Sequence, residues 1–164
     1  ANEGRYPTTA IGIGLNTGDC CVGNLGSNQR FDYSVLGDDV NIASRLEGQT
    51  KTYGLSILTG PRTTEEAAAE GYIFIPVDTV KGQGKDIAID LSCLIGGPNH
   101  PVPADVEAAR PAVTQMVEAY RSGDLDAARE ALDALEAIDV PALTGMATLY
   151  RERLGYTAVE AAAE

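Results

Sequence analysis

Apolar and polar residues alternate in short runs through the first hundred positions and recur at helical spacing beyond them. Thr9–Leu15 reads as a strand, followed by a turn at Asn16-Thr17-Gly18. Cys20–Leu25 and Phe31–Leu36 read as two further strands. Gly37 breaks the pattern, and a helix is predicted from Asp38 to about Tyr53, with Gly54 as its stop. On that helix Ile42, Leu46, Gln49 and Tyr53 form one stripe. Asn41, Arg45, Gly48 and Thr52 form another, roughly 100° away. Ser56–Leu58 is a short strand, and Pro61 opens a helix through Ala69. Tyr72–Val80 and Ile87–Ile95 make a hairpin around Lys81-Gly82-Gln83-Gly84-Lys85. This mixture predicts an α/β or α+β layer fold.

The pattern changes near residue 100. Residues 1–104 hold 15 of the 18 glycines, whereas residues 105–164 hold 15 alanines. Gly96-Gly97-Pro98-Asn99-His100-Pro101-Val102-Pro103 lies between, a stretch that neither helix nor strand can traverse. It predicts a division into 1–97, a linker at 98–104, and a helical extension at 105–164. Asp105–Ser122 is the first tail helix, kinked at Pro111 or truly starting there. Gly123-Asp124 is a turn with a cap, Leu125–Ile138 a second helix, and Pro141 starts a third through about Leu154. Residues 120–128 resemble the turn of a tetratricopeptide repeat. One hairpin is no solenoid, so the tail is read as a helical cap on the first part, or as a docking site for a protein partner.

The net charge of −12 and pI near 4.4 argue against nonspecific binding to nucleic acid or to an anionic membrane surface. No apolar run is long enough to span a bilayer, and Ala1–Thr9 has no signal-peptide character. Cys20, Cys21 and Cys93 do not match a zinc site and are read as reduced thiols used as small apolar residues. His100 is read as structural or idle. Asp38 and Asp39 sit at a helix start, where carboxylates cap N–H groups and suit the positive dipole end, rather than as metal ligands. Gly12 and Gly14 share a strand face and make room for a helix. No helix opens directly after them, which argues against a dinucleotide-binding turn.

Asn41 and Arg45 are four apart and therefore neighbours on one helix face. A planar amide beside a guanidinium could grip a sugar oxygen and a phosphate, although such pairs are also common as solvated surface. The longer string decides between these readings. Ile11-Gly12-Ile13-Gly14-Leu15-Asn16-Thr17-Gly18 is followed by Cys21-Val22-Gly23-Asn24-Leu25-Gly26-Ser27. Residues 31–47 then read Phe-Asp-Tyr-Ser-Val-Leu-Gly-Asp-Asp-Val-Asn-Ile-Ala-Ser-Arg-Leu-Glu. With Gly54-Leu55-Ser56-Ile57-Leu58 and Val80-Lys81-Gly82, this closely resembles the class III nucleotide cyclase catalytic domain over about residues 8–95. The tail looks like the C-terminal extension of bacterial membrane-anchored members.

The resemblance implies an α+β, ferredoxin-like cyclase fold, partial and lacking the N-terminal strands. It implies a lyase that converts ATP to cyclic AMP and pyrophosphate, or GTP to cyclic GMP, in cyclic nucleotide signalling. Two divalent cations, Mg or Mn, would assist, and sites would form between the subunits of a head-to-tail homodimer. Carried over by position, Asn41 would orient the ribose and Arg45 would stabilise charge on the α-phosphate. Lys81 would contact the terminal phosphates, and Ser34 would help recognise the base. A serine hydroxyl both donates and accepts, so similarity to threonine-bearing bacterial members, rather than Ser34 itself, favours ATP. The metal-binding aspartates and the base-reading lysine of the family belong upstream of the matched string. Residues 1–10 offer only Glu3. The expectation is the C-terminal part of a bacterial adenylate cyclase with no metal ligand in this chain, inactive alone. Its unpaired sheet edge would favour a dimer, and it would be a cytoplasmic domain of a parent anchored to the inner membrane. The alternatives are a guanylate cyclase, or a catalytically silent cyclase-like module for dimerisation and signalling.

Overall fold

The computed structural model describes residues 10–25, 32–81 and 88–156. The elements run β1 (Ile13–Leu15), β2 (Cys21–Leu25), β3 (Asp32–Leu36), α1 (Asp38–Tyr53), β4 (Ile57–Thr59) and α2 (Pro61–Ala69). β5 (Ile73–Lys81), β6 (Ala88–Gly96), α3 (Ala104–Ser122) and α4 (Leu125–Ile138) follow, then α5 (Thr144–Arg153) after a 3-10 turn at Pro141–Leu143. One sheet has the order β1-β4-β6-β5, while β2 and β3 form a separate antiparallel ribbon. β1 and β4 are parallel, with Ile13 opposite Ile57. A parallel pair needs a crossover connection, and α1 is its helix. This is the predicted α+β arrangement.

The stripes on α1 sort as expected. Leu46 and Tyr53 are buried with Thr50, Ile42 and Gln49 are half-buried, and Asn41, Arg45, Gly48 and Thr52 are exposed. The glycines explain how closely the helix approaches the chain beneath it. A Cβ on Gly14 would lie 2.2 Å from the Ala43 carbonyl and 2.3 Å from the Glu47 nitrogen. One on Gly12 would lie 2.0 Å from Thr50 Oγ1. Any larger residue would push α1 outward.

On edge strand β5, Pro76 pairs with Ser92 but Asp78 pairs with Leu91, so one extra residue enters at Val77. Such a bulge breaks the alternation of faces, and Val77 and Asp78 are both buried. Proline lacks a ladder donor and is tolerated at an edge or bulge, and Pro76 is at both.

The core is continuous. Leu46, Leu58, Ile75, Val77 and Leu91 join Val113, Met116, Leu132, Met146 and Tyr150 in one cluster. Gly97 and His100 exchange backbone hydrogen bonds of 2.8 and 3.0 Å in a turn, after which α3 packs against β5.

Several boundaries differ from the expectation. β1 begins at Ile13, β4 runs one residue later, and the hairpin strands are Ile73–Lys81 and Ala88–Gly96. Thr9, Phe31, Gly26-Ser27, the hairpin residues 82–87 and Glu3 lie outside the described residues. Pro111 neither starts nor ends α3, which runs through it. It removes a donor to the Glu107 carbonyl, but both residues are exposed, so water can replace that bond. The third tail helix is a 3-10 turn continued by an α-helix. Asp124 caps α4 as expected, accepting from Ala127 N–H at 3.1 Å. Asp38 and Asp39 are in the first turn of α1, and the Asp39 carboxylate accepts from Asn16 and the Asp19 N–H of the preceding loop. Of the cysteines only Cys93 is buried; Cys20 and Cys21 are exposed.

Candidate functional site

Asn41 and Arg45 point from the exposed face of α1, one turn apart, a rise of about 6 Å. Their helix is fixed on three sides. Gly12 and Gly14 set its height. Tyr53 anchors its end in the core. Its first turn is tied to the loop after β1. Asn16 Nδ2 donates to the Asp39 carbonyl and to Asp39 Oδ1, both at 3.1 Å. The Asp19 N–H donates to Asp39 Oδ2 at 3.1 Å. The Asp39 carboxylate therefore caps the preceding loop rather than its own helix. That loop is seated in turn by Gly60 N–H on the Leu15 carbonyl at 3.0 Å and by Thr17 and Thr63 hydroxyls at 2.9 Å.

Among the described residues, no hydrogen bond or ion pair occupies the Arg45 guanidinium or the Asn41 amide. A rigid backbone thus presents five N–H donors of one side chain and an amide of the next to open solvent, in a chain of net charge −12. Such an arrangement can take an anion bearing a neighbouring hydroxyl without first breaking an internal pair. Arg45 and Asn41 stand on an open surface. The cavities along α3 and between Leu55, Cys93, Val106 and Leu143 lie elsewhere.

Ser34 is half-buried on β3, directly opposite Gly23 on β2. Directly paired residues share a face. No described atom lies within 4 Å of where a Gly23 Cβ would stand. Lys81 ends β5; its side chain lies outside the described residues. The four expected residues thus fall on three elements: one helix face, the ribbon and the end of β5.

The resemblance carries an expectation of two cations. Among the described residues no group of three His, Cys, Asp or Glu could hold a metal ion, so the donor set present here does not fit one. No helix among them is long and apolar enough to cross a membrane.

Two arrangements escaped the reading of the sequence. One is the tie between Asn16 and Asp39. The other is a cluster of buried Tyr53 and Asp78 with the more exposed Arg153. Its signal was present as a lone aspartate in the apolar run Ile73–Val80, but its partners are 25 and 75 positions away.

The sequence profile of the family described as "Adenylate and Guanylate cyclase catalytic domain" matches residues 3–89, more than half of the chain. Adenylate cyclase 1 of Rhizobium meliloti is 37% identical over 84 residues, covering 51% of this chain and 12% of that protein. The adenylate cyclase of Anabaena cylindrica is 39% identical over 87 residues, covering 52% of this chain and 17% of that protein. The chain therefore spans a small part of these relatives' length. Among solved structures, the adenylyl cyclase CyaB from P. aeruginosa superposes with a TM-score of 0.50 at 26% identity, over 60% of this chain and 49% of that one. The match contains the β1 glycines, the ribbon, and the helix bearing Asn41 and Arg45, and the chain belongs to the adenylate and guanylate cyclase catalytic domain family.

Proposed function

We propose that this chain supplies the ribose- and phosphate-contacting part of an adenylate cyclase site. In the reaction the 3′-oxygen of ATP loses its proton and bonds to the α-phosphorus. The bond from that phosphorus to the α–β bridging oxygen breaks, and pyrophosphate leaves. Asn41 orients the ribose so that O3′ faces the phosphorus. Arg45 stabilises the charge that builds on the α-phosphate oxygens, where a planar fork of donors fits better than a mobile ammonium. Lys81 draws on the terminal phosphates, and Ser34 contributes to the base pocket. Catalysis of phosphoryl transfer is largely positioning and electrostatic stabilisation, which is what these groups can offer.

The observation that carries the reading is the unpaired Asn41–Arg45 face on a helix fixed against the glycines of β1. The metal ligands would come from outside the described residues. Because the site is open, a second surface must close it. The exposed apolar residues Ile13, Leu15, Val22, Val35 and Leu36 on the first three strands favour a second copy of the chain in that place. ATP, rather than GTP, is favoured by the adenylate cyclases among the relatives, and a domain that draws on the cellular ATP pool would work on the cytoplasmic side.

The test is turnover by the full-length protein with ATP and with GTP, each with Mg and with Mn. Cyclic AMP formed faster than cyclic GMP supports the reading. Cyclic GMP as the main product assigns a guanylate cyclase, and absence of both products indicates a silent module.

A further inference from the structure

The helical tail meets the cyclase part mainly at two places, and both lie on elements that carry proposed nucleotide contacts. The first is the bulge of β5. Tyr150 Oη donates to the Val77 carbonyl at 2.8 Å. Arg121 Nη2 donates to the Asp78 carbonyl at 2.6 Å. Arg153 Nη1 meets Asp78 Oδ2 at 2.7 Å. The second is the end of α1. The Tyr53 hydroxyl donates to the same Asp78 oxygen and accepts from Arg153 Nη2 at 3.4 Å. Gly145 of α5 lies so close to α1 that a Cβ there would stand 2.8 Å from Gly54 Cα and from the Tyr53 carbonyl. The Arg153 guanidinium also lies 5.4–5.8 Å from the ring centres of Tyr53, Tyr120 and Tyr150. Cation–ring attraction holds it in one orientation.

From Asp78 to Lys81 is three residues of strand, about 10 Å. From Tyr53 back to Arg45 is two turns of helix, about 12 Å. A partly buried ion pair adds little net stability compared with apolar packing, but it is directional. Here it braces, from α5, the direct hydrogen bond between Tyr53 at the end of α1 and Asp78 on β5.

We propose that Arg153 is a positioning residue for the cyclase site: by bridging Asp78 and Tyr53, it holds the strand that ends in Lys81 in register with the helix that carries Asn41 and Arg45. This rests on the assignment of those three residues to the nucleotide. The tail is on this view part of the machinery that aligns the triphosphate, and movement of α5 would change affinity for ATP.

The experiment is a double-mutant cycle between Arg153→Met and Lys81→Ala in the full-length protein, reading kcat and KM for ATP. Methionine keeps the length and apolar body of the side chain. Arg153→Met alone is expected to raise KM roughly tenfold with a smaller loss of kcat, as for a displaced positioning group. In the Lys81→Ala background it should raise KM no further. An equal rise in both backgrounds, or no rise in either, overturns the inference while leaving the assignment of Lys81 intact. If Lys81→Ala itself leaves KM unchanged, the assignment of Lys81 falls and this inference falls with it. Where Arg153→Met does not fold, Tyr53→Phe goes through the same cycle, since it removes only the hydroxyl link. Hydrogen exchange adds a readout free of activity. The amides of Val80 and Ile89 should exchange faster in the variant while that of Leu58 does not. Unchanged exchange at Val80 and Ile89 overturns the inference.

Discussion

Arg153 Nη1 lies 2.7 Å from Asp78 Oδ2, across 75 positions of sequence, and ties the last helix to the edge strand of the sheet. Asp78 keeps 9% of its side-chain surface and Arg153 28%. Removing Arg153 leaves the buried Asp78 carboxylate without its cation. Arg153→Met is therefore expected to cost roughly 1–3 kcal/mol, between the values for exposed and buried pairs because only Asp78 is buried. Asp78→Asn combined with it should cost less than the sum of the two singles. Urea denaturation of the four proteins checks this, and strict additivity would count against a direct pair.

A second expectation concerns two glycines on opposite sides of α1. Gly14→Ala places a Cβ 2.2 Å from the Ala43 carbonyl, and overpacking of this kind costs about 1–3 kcal/mol. Gly48 is on the exposed face with nothing within 4 Å of an added Cβ. Gly48→Ala should stabilise by roughly 0.5–1 kcal/mol through helix propensity. Thermal melts of the two variants should shift in opposite directions. Equal shifts would mean that β1 does not set the height of α1.

Alkaline pH offers a third check. Burial pushes the Cys93 thiol up from 9.0 to about 11. Burial, and then the hydrogen bond to Asp78, raise Tyr53 from 10.0 to about 12. In both cases the folded chain keeps its proton after the unfolded chain has lost it. The stabilisation is complete below the unfolded values and falls away from about pH 9 to 12. Urea midpoints measured from pH 8 upward should decline through that window, and less steeply in Cys93→Ala. A flat profile would show that Cys93 and Tyr53 are not buried in solution.

The elements were legible where local signals agree. The buried stripe of α1, its stop at Gly54 and the limits of α4 needed only periodicity and caps. The role of Gly12 and Gly14 followed from their shared strand face. What the sequence did not yield was long-range chemistry. Asp39 looked like a helix cap because its position is right for one, but Asn16 and the Asp19 amide compete for the carboxylate and win. The bulge at Val77 left only a proline and an aspartate in an apolar run as its trace. Neither indicates that Arg121, Tyr150 and Arg153 converge there. Helical spacing put Asn41 and Arg45 on one face, but only the longer string from Ile11 to Glu47 made them candidates for a site, and their relation to β5 depends on how the tail packs.

The proposed role of the Arg45 guanidinium is to stabilise the transition state of cyclisation. The direct measurement is kcat for cyclic AMP formation by the full-length protein carrying Arg45→Ala or Arg45→Lys, with circular dichroism to verify folding. Arg45 is exposed, with no hydrogen bond or ion pair to its guanidinium among the described residues, so neither change should disturb the fold. Arg45→Ala is expected to lower kcat by ~10²–10³, the range for loss of one transition-state donor, and lysine to restore little of it. A kcat within a few fold of the parent for the alanine variant would contradict the account.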